Sequence, residues 1–304
     1  MAGGVSAWEE RRQQIDACLG RALDKLEGCP VVLRNAMERS LLGQGKRLRP
    51  MLVLLAAEAG GADVDAAVPA ACSVEMMHSY SLIHDDLPAM DDDDFRRGQP
   101  SCHKQFGEAL AILAGDALQA LAFQVLADSY PPVIAAACCR ELAAAGGPCG
   151  MVGGQVEDLS WDGKIPGAHG KATIADLERM HCRKTAALLL ASLRIGLLTA
   201  QGERSGGIDP VTRDCLNEFG HYFGLLFQIT DDLLDADGSA GATGKRVGKD
   251  AERGKLTYPG LIGLNESRRL CNELVLAAQR AVEPLGERGV ALAKLARETV
   301  QRDR

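Results

Sequence analysis

Aromatic residues are scarce in this chain: two Trp, four Tyr and six Phe make up only 4% of its 304 residues. Runs of Val, Ile and Thr between turn residues are also scarce, whereas Ala, Leu, Glu, Arg and Gln abound. Strands are enriched in aromatic and β-branched residues, while the abundant residues favour helices. The composition therefore favours helices over strands and predicts an all-α protein.

A surplus of positive charge is also missing, because 34 Lys and Arg stand against 41 Asp and Glu, a net charge of -7. Proteins that bind nucleic acid through bulk electrostatics need a basic surface. We therefore expect no nucleic-acid partner.

Paired cysteines, export signals and long apolar runs are absent as well. The ten cysteines contain no CxxC pair, which is typical of buried thiols in a reducing cytoplasm. The N-terminus has no apolar signal segment. Arg, Gly or Glu interrupts every apolar stretch before the roughly 20 residues that a membrane span needs. We expect a cytoplasmic protein with no membrane span.

The chain shows no internal repeat and no low-complexity linker, and its glycine-rich breaks recur at the spacing of helix ends. We therefore predict a single domain over residues 1–304. Apolar residues at intervals of three or four, together with capping residues, place its helices. The predicted helices cover residues 8–27, 31–42, 50–59, 65–91, 106–128, 132–145, 173–200, 209–236, 257–283 and 286–300.

An acidic stretch, SLIHDDLPAMDDDDFRRG, follows the apolar part of the predicted 65–91 helix. Its six carboxylates repel one another when they lie on adjacent turns. A solvated acidic loop would be the simplest explanation of such a run if it stood alone. The six residues are Asp85, Asp86, Asp91, Asp92, Asp93 and Asp94.

A second acidic cluster, FQITDDLLDADG, lies far downstream and makes the simple explanation insufficient. On a helix, the side chains of Asp231, Asp232 and Asp235 project toward one side. Two such clusters on separate helices of a bundle can face each other across its core, which calls for cations between them. Carboxylate oxygens suit Mg²⁺, which usually also binds substrate phosphates. The two clusters therefore predict a magnesium site that binds a polyphosphate.

Cationic side chains near the acidic stretches could bind the phosphate groups of such a ligand. Each of them alone is more typical of a solvated surface, but together they support a phosphate site. They are Lys46, Arg47, Arg49, Arg96, Arg97, Lys184 with its neighbour Thr185, Lys245 and Lys255.

The motifs in this order resemble the trans-isoprenyl diphosphate synthases, in their short-chain farnesyl diphosphate branch. The resemblance spans residues 45–263, with Gln44 at a position where many relatives have glycine. The motifs are GKRLRP (45–50), DDLPAMD (85–91) followed by DDDFRRG, GGQVEDL (153–159), HCRKT (181–185), FQITDDLLD (227–235) and GKLTYP (254–259).

The resemblance implies an all-α terpenoid-synthase fold around a central cavity, usually in a homodimer. The implied reaction is a Mg²⁺-dependent, head-to-tail condensation of isopentenyl diphosphate with the allylic dimethylallyl and geranyl diphosphates. Metal and basic residues draw diphosphate from the allylic substrate, isopentenyl diphosphate attacks the carbocation, and a proton is lost. The apolar cavity shelters the cation from water.

The resemblance also implies roles for individual residues. Metal ligands are Asp85, Asp86 and Asp91 on one wall and Asp231, Asp232 and Asp235 on the other. The allylic diphosphate contacts Arg96, Lys184, Lys245 and Lys255, with help from Gln228 and Thr185. Isopentenyl diphosphate contacts Lys46, Arg49, His78 and Arg97. Together with the six aspartates, Lys184 and Lys245 form the implied catalytic set.

Product length in this family depends on the residues that form the cavity floor below the first Asp motif. Tyr80 lies five residues before Asp85, more than one helical turn deeper, where its ring can stop the growing chain. Together with Ser81 and the two-residue extension Pro88–Ala89, it indicates a C15 product.

Three other interpretations stay open. A geranylgeranyl diphosphate (C20) synthase would share all of these motifs. A non-catalytic partner subunit of a prenyl synthase would share the fold, although such subunits typically lose an Asp motif. The His84–Asp85 doublet also occurs in helical HD phosphohydrolases, which need further His ligands.

Overall fold

A computed structural model of the chain describes residues 7–167, 170–202, 207–237 and 255–301. Within these ranges the protein is helical, and its strands are confined to one short hairpin, β1 Phe95–Arg96 with β2 Gln99–Pro100. The α-helices are α1 Ala7–Asp24, α2 Val31–Leu41, α3 Leu48–Ala59, α4 Val64–Asp85, α5 Cys102–Phe106, α6 Glu108–Ser129, α7 Pro132–Gly146, α8 Met151–Trp161, α9 Ile174–His181, α10 Ala187–Gly202, α11 Pro210–Asp237, α12 Tyr258–Ile262, α13 Leu264–Val282 and α14 Val290–Val300. The predicted all-α fold is confirmed.

The predicted 65–91 helix is too long, because α4 ends at Asp85. Pro88 disfavours helical geometry at the residue before it, and the chain turns back on itself. The backbone N–H of Asp91 donates to the carbonyl of Asp85 at 2.8 Å. Asp91 therefore lies beside Asp85 through a turn, not through helical spacing.

Other helices also differ from those predicted. The 173–200 helix contains a π-helical turn, Cys182–Ala186, between α9 and α10. The 257–283 helix is two helices, because Gly263 adopts a φ of 80° that ends α12. The short α8 was missed altogether, since its two consecutive glycines, Gly153 and Gly154, lower helix propensity.

The core of the bundle forms around α3, α4 and α10. Helix α4 packs against α3, α6 and α10, and α10 packs in turn against α3, α7 and α11. From Met51 to Ala57, every residue of α3 is buried, as expected of a central helix surrounded by others. This packing places the two helices that carry the acidic clusters, α4 and α11, on two sides of one interior space.

Arg47 fastens three parts of this bundle together. Its Nε donates to Asp16 of α1 at 2.7 Å, its Nη1 donates to Glu75 of α4 at 2.9 Å, and its Nη2 donates to the carbonyl of Gly43 at 3.1 Å. The residue is buried and has a left-handed φ of 51°, which costs energy in a non-glycine residue. Although the sequence pattern placed Arg47 among the phosphate-binding cations, the structure uses it as an internal tie.

Helix α6 meets the length and composition criteria for a membrane span, with a window of mean hydropathy 1.7. Core helices of globular proteins meet the same criteria, and α6 packs against α2, α4, α5 and α7. Among the described residues no other helix meets them.

The Arg47 tie predicts a large stability difference between its two acidic partners. The buried Glu75→Gln change leaves a buried guanidinium short of one charge, so the free energy of unfolding should fall by about 3 kcal/mol. Asp16→Asn, at the half-exposed partner, should cost about 1 kcal/mol or less. Urea unfolding of both variants measures the difference, and equal losses would contradict this account of Arg47.

Candidate active site

One cavity of about 790 Å³ lies between the ends of α4, α8, α9 and α11. It brings together fifteen of the residues that the sequence predicted as site residues. They are Arg49, His78, Tyr80, Ser81, Asp85, Asp91, Arg96, Arg97, Lys184, Thr185, Gln228, Asp231, Asp232, Asp235 and Lys255. Asp86 and Lys46 are not among the residues that line it, and Lys245 lies outside the described residues.

The first acidic wall consists of Asp85 and Asp91, which the turn after α4 brings together. Burial raises the pKa of Asp85 to about 6; Lys184 opposes this shift, and the carboxylate of Asp91 strengthens it. Ionisation of both carboxylates is therefore unfavourable unless a cation lies beside them. An all-oxygen donor set of this kind fits a hard divalent cation such as Mg²⁺.

Asp86 lies apart from this wall although it is adjacent to Asp85 in sequence. Its buried carboxylate accepts two hydrogen bonds from Nε of Arg96, at 3.0 and 3.2 Å, and a further bond from Nη2. Asp93 adds a second negative charge 3.7 Å from the same guanidinium. Successive residues at the end of a helix point in different directions, so the sequence doublet places one carboxylate at the cavity and the other on Arg96.

The second acidic wall is formed by Asp231, Asp232 and Asp235, near the C-terminal end of α11. Their spacing of three and four residues along the helix brings all three to the cavity, as predicted. Asp231 is exposed, whereas Asp232 is buried and its Oδ2 accepts a hydrogen bond from the backbone N–H of Tyr258 at 2.9 Å. Asp232 therefore also fixes the start of α12.

Residues 255–258 connect the two walls. The ammonium group of Lys255 lies 3.8 Å from Oδ2 of Asp91 on the first wall, and three residues later Tyr258 bonds Asp232 on the second. Between them, the hydroxyl of Thr257 accepts from the N–H of Gly260 and caps α12. This segment places a cation at the cavity mouth while it touches both acidic walls.

The π-helical turn positions Lys184 and Thr185. Such a turn inserts one extra residue into a helix and is frequent at functional sites. Gly154 of α8 packs against it so closely that a Cβ there would lie 2.2 Å from the backbone nitrogen of Lys184. Thr185 then donates from Oγ1 to Oε1 of Gln228 on α11 at 3.0 Å.

Lys184 is half-buried in an acidic environment and forms an ion pair with Asp158 of α8. Burial alone would lower the pKa of Lys184, but the carboxylates of Asp158, Asp85 and Asp91 raise it above its usual value. The ammonium group therefore stays protonated and provides a fixed positive charge beside the first wall.

Arg49, His78 and Arg97 form a second cationic region of the cavity. Nη1 of Arg49 lies 3.2 Å from Nε2 of His78. Burial, with the nearby charges of Arg49 and Arg97, holds the pKa of His78 well below its usual value. The ring is therefore neutral at pH 7, and its Nε2 accepts from Arg49. Burial also lowers the pKa of Arg49 to about 10, so it remains charged.

Lys46 is exposed and does not line the cavity, in contrast to its neighbours in the GKRLRP motif. The side chain of Arg47 points into the bundle and bonds Asp16 and Glu75, whereas the side chain of Lys46 faces solvent. Gly45 in the same loop packs closely against a guanidinium group, since a Cβ there would lie 2.7 Å from Nη1 of Arg97 and would displace that side chain. The loop thus contributes space for Arg97.

His84 packs against α6. Its Nε2 lies 3.0 Å from the carbonyl oxygen of Ile112, and a Cβ at Gly115 would lie only 2.1 Å from the same nitrogen. A ring held by a helix backbone in this way is a packing feature. His84 also lines the cavity, but its Nε2 is engaged by Ile112 and is not free to bind a metal, as a His ligand of an HD phosphohydrolase must.

Gln155 and His181 also line the cavity, and the sequence did not single them out although both lie in quoted motifs. Gln155 is buried, and neither its amide nitrogen nor its amide oxygen has a hydrogen-bond partner among the described residues. His181 stacks on Tyr258 with ring centroids 5.7 Å apart, and its Nε2 lies 3.8 Å from Oδ2 of Asp232. A motif match identifies such segments but does not show which of their side chains turn inward.

Known proteins share sequence similarity with almost the whole chain. The family model for polyprenyl synthetase matches residues 30–285. Over 298 residues the chain is 42% identical to a farnesyl diphosphate synthase of Geobacillus stearothermophilus, a match that covers 97% of this chain and 96% of that protein. Over 309 residues it is also 42% identical to a farnesyl diphosphate synthase of Escherichia coli K12, covering 96% and 99%.

Solved structures agree with the sequence relatives. An FPP/GFPP synthase from Zymomonas mobilis superposes with a TM-score of 0.83 at 35% identity and covers 96% of this chain and 97% of its own. A geranyltransferase from Legionella pneumophila gives a TM-score of 0.85 at 32% identity, covering 97% and 96%. These matches confirm the family resemblance and the fold that the motifs predicted. The chain belongs to the polyprenyl synthetase family.

Proposed function

We propose that the protein is a magnesium-dependent prenyltransferase that joins isopentenyl diphosphate to dimethylallyl and geranyl diphosphate and releases farnesyl diphosphate. The observation that carries this proposal is a single cavity with two acidic walls, two cationic regions and an apolar interior. The two bacterial farnesyl diphosphate synthases, which match almost the whole chain, support the same reaction.

The carboxylates facing the cavity are suited to Mg²⁺. Asp85 and Asp91 would hold the metal from the first wall, and Asp231 and Asp235 from the second. Asp232 also lines the cavity but already holds the N–H of Tyr258. Bound Mg²⁺ would supply positive charge that stabilises the departing diphosphate. The role of Asp86 would be to orient Arg96 toward that diphosphate.

Fixed positive charges in the cavity would assist the departure of diphosphate from the allylic substrate. The bond between C1 and the bridging oxygen of the allylic substrate breaks, and its electron pair leaves with diphosphate. Lys184, Lys255 and Arg96 neutralise the charge that develops on this group. We assign Lys245 to the same role because the family resemblance implies it.

The second substrate would bind at the other cationic region. Arg49 and Arg97 would bind the diphosphate of isopentenyl diphosphate, with neutral His78 orienting Arg49. Lys46 would reach it from the exposed loop. The double bond of isopentenyl diphosphate attacks C1 to form the new carbon–carbon bond, and a proton then passes to the departed diphosphate.

The C15 product is proposed from the position of Tyr80. This buried residue lines the cavity together with Ser81, below Asp85 on α4. Its ring contacts the imidazole of His84 edge-on at 5.7 Å, and His84 is itself held by α6. A ring supported in this way is a firm floor for a growing chain. A C20 product remains the alternative, since geranylgeranyl pyrophosphate synthases of Arabidopsis thaliana are also related.

The partner-subunit alternative has less support. Such subunits typically lose an Asp motif, whereas both acidic walls of this chain are intact. All ten cysteines are free thiols, as expected of the cytoplasmic location that we propose.

We also propose that the protein is a homodimer that associates through α6. The outer face of this helix carries Ile112 and Leu113, which are 43% and 55% exposed. Adjacent exposed aliphatic residues on an otherwise apolar helix are typical of an association surface. No residue of α6 lines the cavity, so the outer face of this helix is available for a second copy.

Product analysis tests the proposed reaction. The purified chain with Mg²⁺ and isopentenyl diphosphate should convert dimethylallyl and geranyl diphosphate to farnesyl diphosphate, and farnesyl diphosphate itself should be inert. Chromatography of the released alcohols identifies the product. A C20 alcohol would leave the chemistry intact and refute the C15 assignment. A lack of any Mg²⁺-dependent product would favour the partner subunit.

The floor formed by Tyr80 predicts a change of product length. Tyr80→Ala removes the ring and opens volume below Asp85, so the product should lengthen by at least one C5 unit. Tyr80→Phe keeps the ring and should still give the wild-type product, which makes it the matched control. The same alcohol analysis measures both, and an unchanged product from Tyr80→Ala would place the floor elsewhere.

The α6 association surface predicts a dimer in solution. Multi-angle light scattering of the purified protein should give twice the chain mass, and Leu113→Asp should shift it toward the monomer because a charge enters the apolar contact. Val133→Asp, at an 81% exposed position on α7, is the control and should remain dimeric. A monomeric wild type would rule out the proposed association.

A further inference from the structure

A cluster of potential metal ligands lies next to the first acidic motif but outside the cavity lining. One carboxylate oxygen each from Asp92 and Asp94 and a ring nitrogen of His103 lie within 4.8 Å of one another. None of the three lines the cavity. We propose that these residues form a second metal site, specific for a divalent transition metal such as Zn²⁺ and distinct from the proposed magnesium site.

The imidazole is the strongest indication of a ligand. His103 is only 6% exposed, and its Nε2 is buried with no hydrogen-bond partner among the described residues. Its Nδ1 lies 3.1 Å from the hydroxyl of Ser101. A buried ring nitrogen without a partner is costly. When the other nitrogen donates to a hydroxyl, its lone pair is available to a metal.

The mixed donor set distinguishes this cluster from the cavity walls. The walls offer carboxylates, which favour Mg²⁺, whereas an imidazole with two carboxylates favours Zn²⁺ and related ions. Three protein ligands with water in the remaining position are a common Zn²⁺ arrangement. The two sites should therefore select different metals from the same solution.

Lys104 is the charged group that competes with a metal here. Its ammonium group lies 2.8 Å from Oδ1 of Asp94, and both side chains are largely exposed. The hydrogen bond with Asp94 and the negative charge of Asp94 raise the pKa of Lys104, and Asp92 adds a smaller effect. An exposed ion pair of this kind is weak, so a divalent cation can displace it. Removing the lysine charge should strengthen metal binding.

The location gives the proposed site a structural consequence. Asp92 and Asp94 precede the β1–β2 hairpin, and His103 follows it. The backbone N–H of Ser101 donates to the carbonyl of Asp94 at 2.9 Å and already closes this loop. A bound metal would hold both ends of the hairpin that carries Arg96 and Arg97. This inference depends only on the cluster and holds whichever prenyl product the protein makes.

Zinc titration calorimetry of the metal-stripped full chain, in millimolar Mg²⁺ that occupies the cavity aspartates, tests the proposal. The wild type should bind one Zn²⁺, and His103→Asn should weaken that binding by about tenfold or more. Lys104→Gln should tighten it. His84→Asn removes a histidine outside the cluster and should bind Zn²⁺ as the wild type does. Circular dichroism checks that each variant is folded.

X-ray absorption of the zinc-loaded protein should show one imidazole nitrogen among oxygen ligands. If His103→Asn does not fold, this spectrum together with the Asp92→Asn and Asp94→Asn titrations decides the matter. Equal Zn²⁺ affinity in the wild type and the cluster variants would overturn the proposal. Loss of Zn²⁺ binding in Asp231→Ala, with the cluster variants unaffected, would place the ion in the cavity and overturn it as well.

Discussion

Repulsion between carboxylates is the constraint on which the rest of this structure depends. Asp85 and Asp91 share one wall of a partly buried cavity, and the pKa of Asp85 rises to about 6 as a result of burial and of this neighbour. Such an arrangement is unfavourable unless cations surround it. Lys184 supplies one positive charge from the π-helical turn, and Lys255 supplies another from the segment before α12.

The compensating charges explain features of the fold that packing alone does not require. The π-helical turn and the glycine at position 154 bring Lys184 close to α8, where Asp158 holds it. Asp86 turns away from the wall and fixes Arg96.

A further buried pair lies between α3 and α4, where Arg47 neutralises the charge of Glu75. The site is thus a set of paired charges, and the proposed metal and diphosphate would displace water from the cavity and pair with its remaining charges.

The acidic walls could be predicted from the sequence because each depends on local spacing. Asp231, Asp232 and Asp235 fall on one face of a helix, and the structure places all three at one cavity. Asp91 was expected at the same wall as Asp85, but through a helix that in fact ends at Asp85. The correct position follows from a turn whose hydrogen bond between residues 91 and 85 has no signature in hydrophobic periodicity.

Residues whose direction depends on distant contacts could not be predicted. Lys46 and Arg47 are adjacent cations, and only the positions of Asp16 and Glu75 decide which of them turns inward. The side chains of Asp85 and Asp86 are separated in the same way by Arg96, which lies ten residues after Asp86 and binds it.

Gln155 and His181 could not be predicted either. They line the cavity because α8 and α9 border it, and this packing has no signature in the sequence.

Calorimetric titration with inorganic diphosphate tests most directly whether both acidic walls bind one diphosphate through divalent cations. We predict tight binding in the presence of Mg²⁺ and none in its absence. Asp85→Ala and Asp231→Ala, one on each wall, should each abolish binding while the helical circular dichroism signal is retained. Binding that does not need Mg²⁺, or that survives the loss of either aspartate, would show that the two walls do not act together through a metal.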